Sequence, residues 1–271
     1  ADMLSFIKSK DAVVAVALTT DQPADTLFIN GRVHLPIQSV FKFHIAVKML
    51  TEIDRGHFSL HQPIKIKKGQ LTPDIWSPLR DRYPKGTTLP LSALITYMLS
   101  QSDNVACDIL LQMLGGPQQV ERFYTDQGFK ELAIQINEKT MQQNWDMQFL
   151  NWTTVETCTR LLQKYYYNAQ AELSKPNHDF LWAVMKGTET GPKRLKGKLP
   201  KDAVVAHKTG YSGAKDGVME AVHDAGVLFL PNGNTIFMTV FISHSQESLE
   251  SNADIIASLS KMAYDYFSVP R

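Results

Sequence analysis

Strand-patterned segments stand at both ends of this chain and a long helical pattern lies between them, which leaves few folds open to it. Val13–Thr19 and Thr26–Asn30 read as strands joined by the polar turn Asp21–Asp25, after a short helix over Met3–Lys10. The β pattern returns in Val204–Lys208, Glu220–Leu230 and Thr235–Ser243, with the turn Pro231-Asn232-Gly233-Asn234 joining the last two as a hairpin. Between these ends, Val40–Gly56, Leu91–Leu99, Val105–Leu114, Gln118–Gln127, Thr154–Tyr167 and Asp179–Gly187 follow helical spacing. An amphipathic helix over Leu249–Phe267 closes the chain. The expected fold is α/β plus all-α: residues 1–36 and 186–271 form an α/β subdomain, and residues 37–185 form an all-α subdomain inserted into it. Glu131–Asn151 breaks the periodicity; irregular stretches of this length are uncommon and often functional.

Composition narrows the function classes. At 271 residues, 44% hydrophobic and 20% charged, the chain has the makeup of a soluble globular protein and length enough to bury a large core. A net charge of +1 gives no argument for nucleic acid or an anionic membrane. Its basic runs Lys65–Lys68 and Lys193–Lys201 read as solvated loops. No apolar run approaches the ~20 residues that span a bilayer. The two cysteines, Cys107 and Cys158, form no CxxC and are expected as buried free thiols. With no leader in the sequence, either a cytosolic protein or a mature secreted form fits.

Three short motifs carry the chemistry. In Ser39-Val40-Phe41-Lys42 the hydroxyl and the amine are three residues apart at a helix start and share a face. The helix N-terminus favours developing negative charge, and with burial it would push the Lys42 amine toward neutrality and make it a base for Ser39. Alone this means little, because Ser-x-x-Lys arises by chance about once in a chain of this length. Ser102-Asp103-Asn104 opens another helix; it suits an N-cap, or a proton relay at Ser102 with Asn104 orienting substrate or Lys42. Lys208-Thr209-Gly210 ends a strand; it is either a solvated strand end or a carboxylate site, in which Gly210 lets the substrate backbone lie close. The backbone N–H of Tyr211 would then join that of Ser39 in an oxyanion hole. Each of the last two tripeptides has a chance expectation of roughly 0.05 per chain, so all three motifs in this order point to a serine acyltransferase.

With its Ser39-Val40-Phe41-Lys42-Phe43-His44, Trp76-Ser77-Pro78, Ser102-Asp103-Asn104 followed by Cys107-Asp108, Arg194-Leu195-Lys196-Gly197 and His207-Lys208-Thr209-Gly210, the sequence resembles the class A serine β-lactamases over nearly its whole length. Within them it is most similar to the PER-type extended-spectrum branch. The resemblance implies an antiparallel sheet flanked by helices, formed by both chain termini, with the inserted all-α subdomain. It implies a periplasmic, monomeric hydrolase of penicillins and cephalosporins, including oxyimino-cephalosporins, that confers antibiotic resistance, meets mechanism-based inhibitors and needs no cofactor. Glu138 would activate the water that frees the acyl-enzyme. Arg194 would assist Lys208 with the substrate carboxylate, and Trp76 would form an apolar wall of the site.

This chain departs from the family pattern in four places. Gln142 stands where most members carry the Asn that helps hold the hydrolytic water. Ile136 and Asn151 stand where an Arg–Asp ion pair usually braces the loop, so other contacts must hold it. Tyr211 follows Gly210 where a small residue is usual. Two other readings of the motifs are a D-Ala-D-Ala peptidase of the penicillin-binding class, which lacks a deacylating glutamate on this loop, and a penicillin sensor that stays acylated. His57 and His61 lack the HExxH pattern of a zinc site, Gly191–Lys198 lacks P-loop spacing, and neither GxGxxG nor GxSxG occurs.

Overall fold

The computed structural model describes residues 2–22 and 24–269. Position 23, inside the expected Asp21–Asp25 turn, lies outside the described residues. The chain runs α1 (Asp2–Lys8), β1 (Val13–Thr20), β2 (Thr26–Ile29), β3 (Leu35–Pro36), α2 (Phe41–Asp54), β4 (Pro63–Lys67), α3 (Pro78–Arg82), β5 (Gly86–Pro90), α4 (Leu91–Ser100), α5 (Asn104–Met113), α6 (Pro117–Thr125), β6 (Leu132–Ala133), α7 (Glu138–Met141), β7 (Trp152–Thr153), α8 (Val155–Tyr167), α9 (Lys175–Lys186), β8 (Val205–Tyr211), β9 (Val222–Phe229), β10 (Thr235–Ser243) and α10 (Leu249–Ser268). Two compact units result: residues 1–40, 152–164 and 191–271 in one, residues 41–151 and 165–190 in the other. Segment 152–164 thus clusters with the terminal strands, where the sequence placed it in the inserted block.

The first unit is built on a five-stranded antiparallel sheet in the order β2-β1-β10-β9-β8. Its central strand β10 is buried along its whole length, which explains why Thr235–Ser243 reads as a nearly continuous apolar run rather than an alternating one. On one face Val14, Val16, Ile236, Met238 and Val240 pack with Ile255, Ile256 and Leu259 of α10 and with Ile7 of α1. Elsewhere on β10, Thr239 accepts a hydrogen bond from the Thr159 hydroxyl of α8 at 2.7 Å, fully buried. Cys158 beside it is a buried free thiol that burial pushes up to about 12.

The second unit surrounds α2, which packs against α4, α5, α6 and α9. Phe41, Phe43, Ile45, Val47, Met49 and Leu50 point to nearly every side of α2 and all are buried, the pattern of a central helix. Tyr124 of α6 donates to the His44 carbonyl at 2.8 Å. Cys107 on α5 is also buried and free. This block is not all helix: β4 and β5 pair as an antiparallel ribbon. Lys65 and Lys67, expected in a loop, are exposed positions of β4 on either side of buried Ile66. The alternation was present in Pro63–Lys67, but a strand this short gives too few periods to compete with the helical pattern around it.

At the far end of α2, Glu52 accepts from Lys48, from Arg55 at 2.9 Å and from His57. Burial raises its carboxyl, but the hydrogen bonds of Lys48 and His57 and the charges of Lys48 and Arg55 outweigh burial and bring it down to about 2. A carboxyl held below its unfolded value stabilises the fold above about pH 4.5, and that stability is lost as pH falls toward 2. Glu52→Gln should therefore lower unfolding free energy by about 1–3 kcal/mol at pH 7. In urea melts the difference from the parent should shrink steadily below pH 4.5.

Candidate active site

Lys42 sits in the first turn of α2 and is wholly buried. Its Nζ donates to the Ser102 carbonyl at 2.8 Å and to Asn104 Oδ1, and it lies 2.9 Å from Glu138 Oε1. The Ser102 hydroxyl is farther off, at 3.4 Å. Three close oxygen acceptors match the three N–H bonds of an ammonium, whereas a neutral amine could serve only two. A carboxylate and an ammonium in direct contact can exchange a proton across one hydrogen bond.

Ser102 reaches Lys42 through an unusual backbone. Its φ is +57°, in the left-handed region that costs a non-glycine residue roughly 1 kcal/mol or more. Asp103 holds that turn in place. As N-cap of α5 it accepts from Ala106 N–H at 2.8 Å, and it also accepts from Leu79 N–H at 2.7 Å and from the Ser77 hydroxyl at 2.9 and 3.0 Å. Burial pushes the Asp103 carboxyl up, against these donors. Asn104 N–H donates to the Trp76 carbonyl, and Trp76 Nε1 donates to the Gln101 carbonyl, leaving the indole 62% exposed beside the motif.

Glu138 is the first residue of α7 and is buried. Two side chains far away in sequence fix the loop around it. Asp108 accepts from Glu138 N–H at 2.8 Å and from Lys139 N–H at 2.9 Å. Burial and then the Glu138 charge push Asp108 up to about 6, against the pull of those N–H groups. Asn151, fully buried, accepts from Gln135 and Ile136 N–H at 2.8 and 3.0 Å and donates to the Ile136 carbonyl at 2.8 Å. One amide thus holds the loop where an ion pair is usual. Asn137 caps α7 by accepting from Thr140 N–H, and Gln142 closes the helix with its side chain exposed.

In the other unit, Ser39 lies in a 3₁₀ turn, Gln38–Val40, that packs on β8 and β9. Gly210 makes this approach possible: a Cβ there would sit 3.2 Å from Gln38 Cβ and 3.3 Å from the Ile37 carbonyl oxygen. The absence of a side chain at Gly210 thus also serves the turn carrying Ser39, beside the substrate approach expected from the sequence. Lys208 is buried on β8 and donates to the Thr209 carbonyl at 2.9 Å. Arg194 is not an exposed loop cation; it is buried, and its Nη1 donates to the carbonyls of Gly210 at 2.8 Å and His223 at 2.7 Å. Tyr211, at the end of β8, is 45% exposed.

The structure thus brings Lys42, Ser102, Asn104 and Glu138 together in one unit, and Ser39, Arg194, Lys208, Thr209 and Gly210 onto or beside β8 in the other. Sequence reasoning assigned no part to Asp108, Ser77 or Asn137. Asn137 alone carried a local signal, an N-cap residue directly before Glu138; the other two act over long sequence separations.

A strained serine, a buried lysine–glutamate pair and a lysine-bearing strand at the edge of an antiparallel sheet describe a serine hydrolase of the penicillin-recognising type. The chain belongs to the β-lactamase enzyme family, whose profile matches residues 3–267, and it is a class A member acting on β-lactam amides. It is 43% identical to β-lactamase VEB-1 of Pseudomonas aeruginosa, over 97% of this chain and 88% of that protein. It is 37% identical to the extended-spectrum β-lactamase PER-1 of the same organism, over 97% and 85%. A β-lactamase from Chitinophaga pinensis superimposes with a TM-score of 0.95 at 40% identity, covering 98% of both chains.

Asn151→Ala removes three buried hydrogen bonds and should cost about 1–3 kcal/mol in a denaturant melt. In hydrogen exchange the amides of Gln135 and Ile136 should lose protection before those of α5.

Proposed function

We propose that Ser39 is the nucleophile and Glu138 the deacylating base of this β-lactamase. The Ser39 hydroxyl attacks the lactam carbonyl and passes its proton to the Lys42–Glu138 pair, either directly to Glu138 or to Lys42 after Lys42 has handed its own proton to Glu138. The N–H groups of Ser39 and Tyr211 receive the oxyanion. The Ser102 hydroxyl hands a proton to the departing lactam nitrogen, breaking the C–N bond and leaving an ester on Ser39. Glu138 then takes a proton from water as the water attacks that ester, and Ser39 leaves with a proton regained through Lys42 and Ser102.

Substrate binding falls to the strand. Lys208 and Thr209 bind the carboxylate of the drug. Arg194 adds positive charge there, with Nη1 committed to the backbone carbonyls of Gly210 and His223. Asn104 and Gln142 supply amides, Gln142 standing one helical turn after Glu138 and beside the hydrolytic water. The exposed Trp76 and Tyr211 rings serve as apolar walls. A loop held by Asn151 instead of an ion pair, together with the extended-spectrum name of PER-1, supports oxyimino-cephalosporins among the substrates. We place the protein in the periplasm as a monomer that confers resistance and is acylated by mechanism-based inhibitors.

The observation that carries this reading is the buried contact between Lys42 and Glu138 at 2.9 Å beside Ser102. Purified protein should turn over nitrocefin continuously. Glu138→Ala should release about one equivalent of product and then hold the drug as a covalent adduct visible by mass spectrometry, with turnover lowered by roughly 10³-fold or more. Unchanged turnover in that variant would take Glu138 out of the mechanism.

A further inference from the structure

We infer that His207 and Asp224 form a buried positioning dyad that sets the carboxylate-binding cations Lys208 and Arg194. The inference rests on the reading that these two cations bind the substrate carboxylate. His207 entered the sequence reading only as the residue before Lys208, with no role, and Asp224 did not enter it at all.

The dyad is built into the sheet. Thr209 stands opposite Asp224 in the register of β8 and β9, and His207 stands opposite Gly226. Directly opposed residues share a face, as do residues two apart on one strand, so His207, Thr209 and Asp224 lie on the same face. Lys208, between His207 and Thr209, emerges on the other. Gly226 is what lets His207 sit there: a Cβ at that position would lie 2.6 Å from His207 Cβ and 2.5 Å from the Ala206 carbonyl oxygen. The imidazole then reaches diagonally to Asp224, with Nδ1 donating 2.9 Å from both carboxylate oxygens. Histidine and aspartate are both buried.

Asp224 also accepts the Leu195 N–H at 3.1 Å. One carboxylate therefore grips the residue before Lys208 and the residue after Arg194. Arg194 in turn donates to the carbonyls of Gly210 and His223, the immediate chain neighbours of Thr209 and Asp224. Burial pushes the guanidinium down and the Asp224 charge opposes this, so Asp224 also acts as a buried counter-anion for Arg194. Removing the imidazole would leave a buried carboxylate short of a donor next to two cation-bearing segments. The strand and the Arg194 loop would then re-settle, and binding of an anionic group would suffer before the chemistry at Ser39.

The test compares nitrocefin with its methyl ester, which keeps the lactam and lacks the carboxylate. His207→Ala should raise KM for nitrocefin about 5- to 20-fold with kcat changed less than about 3-fold, and should leave kcat/KM for the ester within about 2-fold. His207→Asn, whose Nδ2 donor falls where Nδ1 stood, should restore the nitrocefin KM to within about 2-fold of the parent. Should the alanine variant not fold, His207→Gln, which keeps bulk and displaces the donor, carries the same comparison. Equal losses on acid and ester, or failure of asparagine to rescue, would overturn the dyad as a positioning element. Lys208→Ala separates the two readings. If it penalises acid and ester alike, the carboxylate site itself is wrong; if it discriminates and His207→Ala does not, only the dyad falls.

Discussion

The contact between Lys42 and Glu138 is the constraint around which much of the helical unit is arranged. Each ion taken out of water costs about several kcal/mol, and their attraction repays this only when the remaining donors and acceptors are also satisfied. Lys42 meets that condition by giving its other N–H bonds to the Ser102 carbonyl and to Asn104. The condition propagates outward. Ser102 must hold a left-handed backbone, so Asp103 must bind Ala106, Leu79 and Ser77. Glu138 must reach Lys42 from an irregular loop, so Asp108 must hold α7 by its first two N–H groups. A second layer of carboxylates, Asp103 buried and Asp108 half-buried, thus positions the ion pair, each pushed up by burial and countered by backbone donors.

The strand-bearing unit solves a related problem with similar means. Arg194 and Asp224 are both buried there, and each is occupied mainly with backbone groups or with His207. A buried cation held through Nη1 cannot fold onto a ligand like a surface side chain. It offers a fixed field instead, which costs no reorganisation when charge arrives. His223 follows the same economy. Nε2 donates to the Pro36 carbonyl, Nδ1 accepts from Ile242 N–H, and the ring stacks on Phe241 at 4.0 Å. Burial pushes it down to about 3, so it remains a neutral spacer beside the cations.

Much of this was legible in the sequence, and the parts that were not share a cause. The central strands announced themselves because β9 and β10 are long, apolar and joined by an Asn-Gly hairpin signal. The motifs were legible because chance does not supply three of them in order. The ribbon of β4 and β5 was missed because its pairing joins segments separated by α3 and each strand is brief. Asp108 and Asn151 could not be assigned their roles, since each acts on backbone groups 15 or more residues away. The packing role of Gly210 was illegible for a different reason. A glycine states that something comes close, but not what; here it is the chain's own turn at Gln38–Val40.

The two anchors of the Glu138 loop differ in kind. At Asn151 the loop is held by a neutral amide, which has no charge for salt to screen and no proton to gain or lose. At Asp108 it is held by a carboxylate that takes up a proton near pH 6. Acid therefore acts on the α7 end of this loop through Asp108, whereas the three Asn151 bonds carry no charge and no titrating proton. The loop thus has one anchor that answers to pH and one that does not.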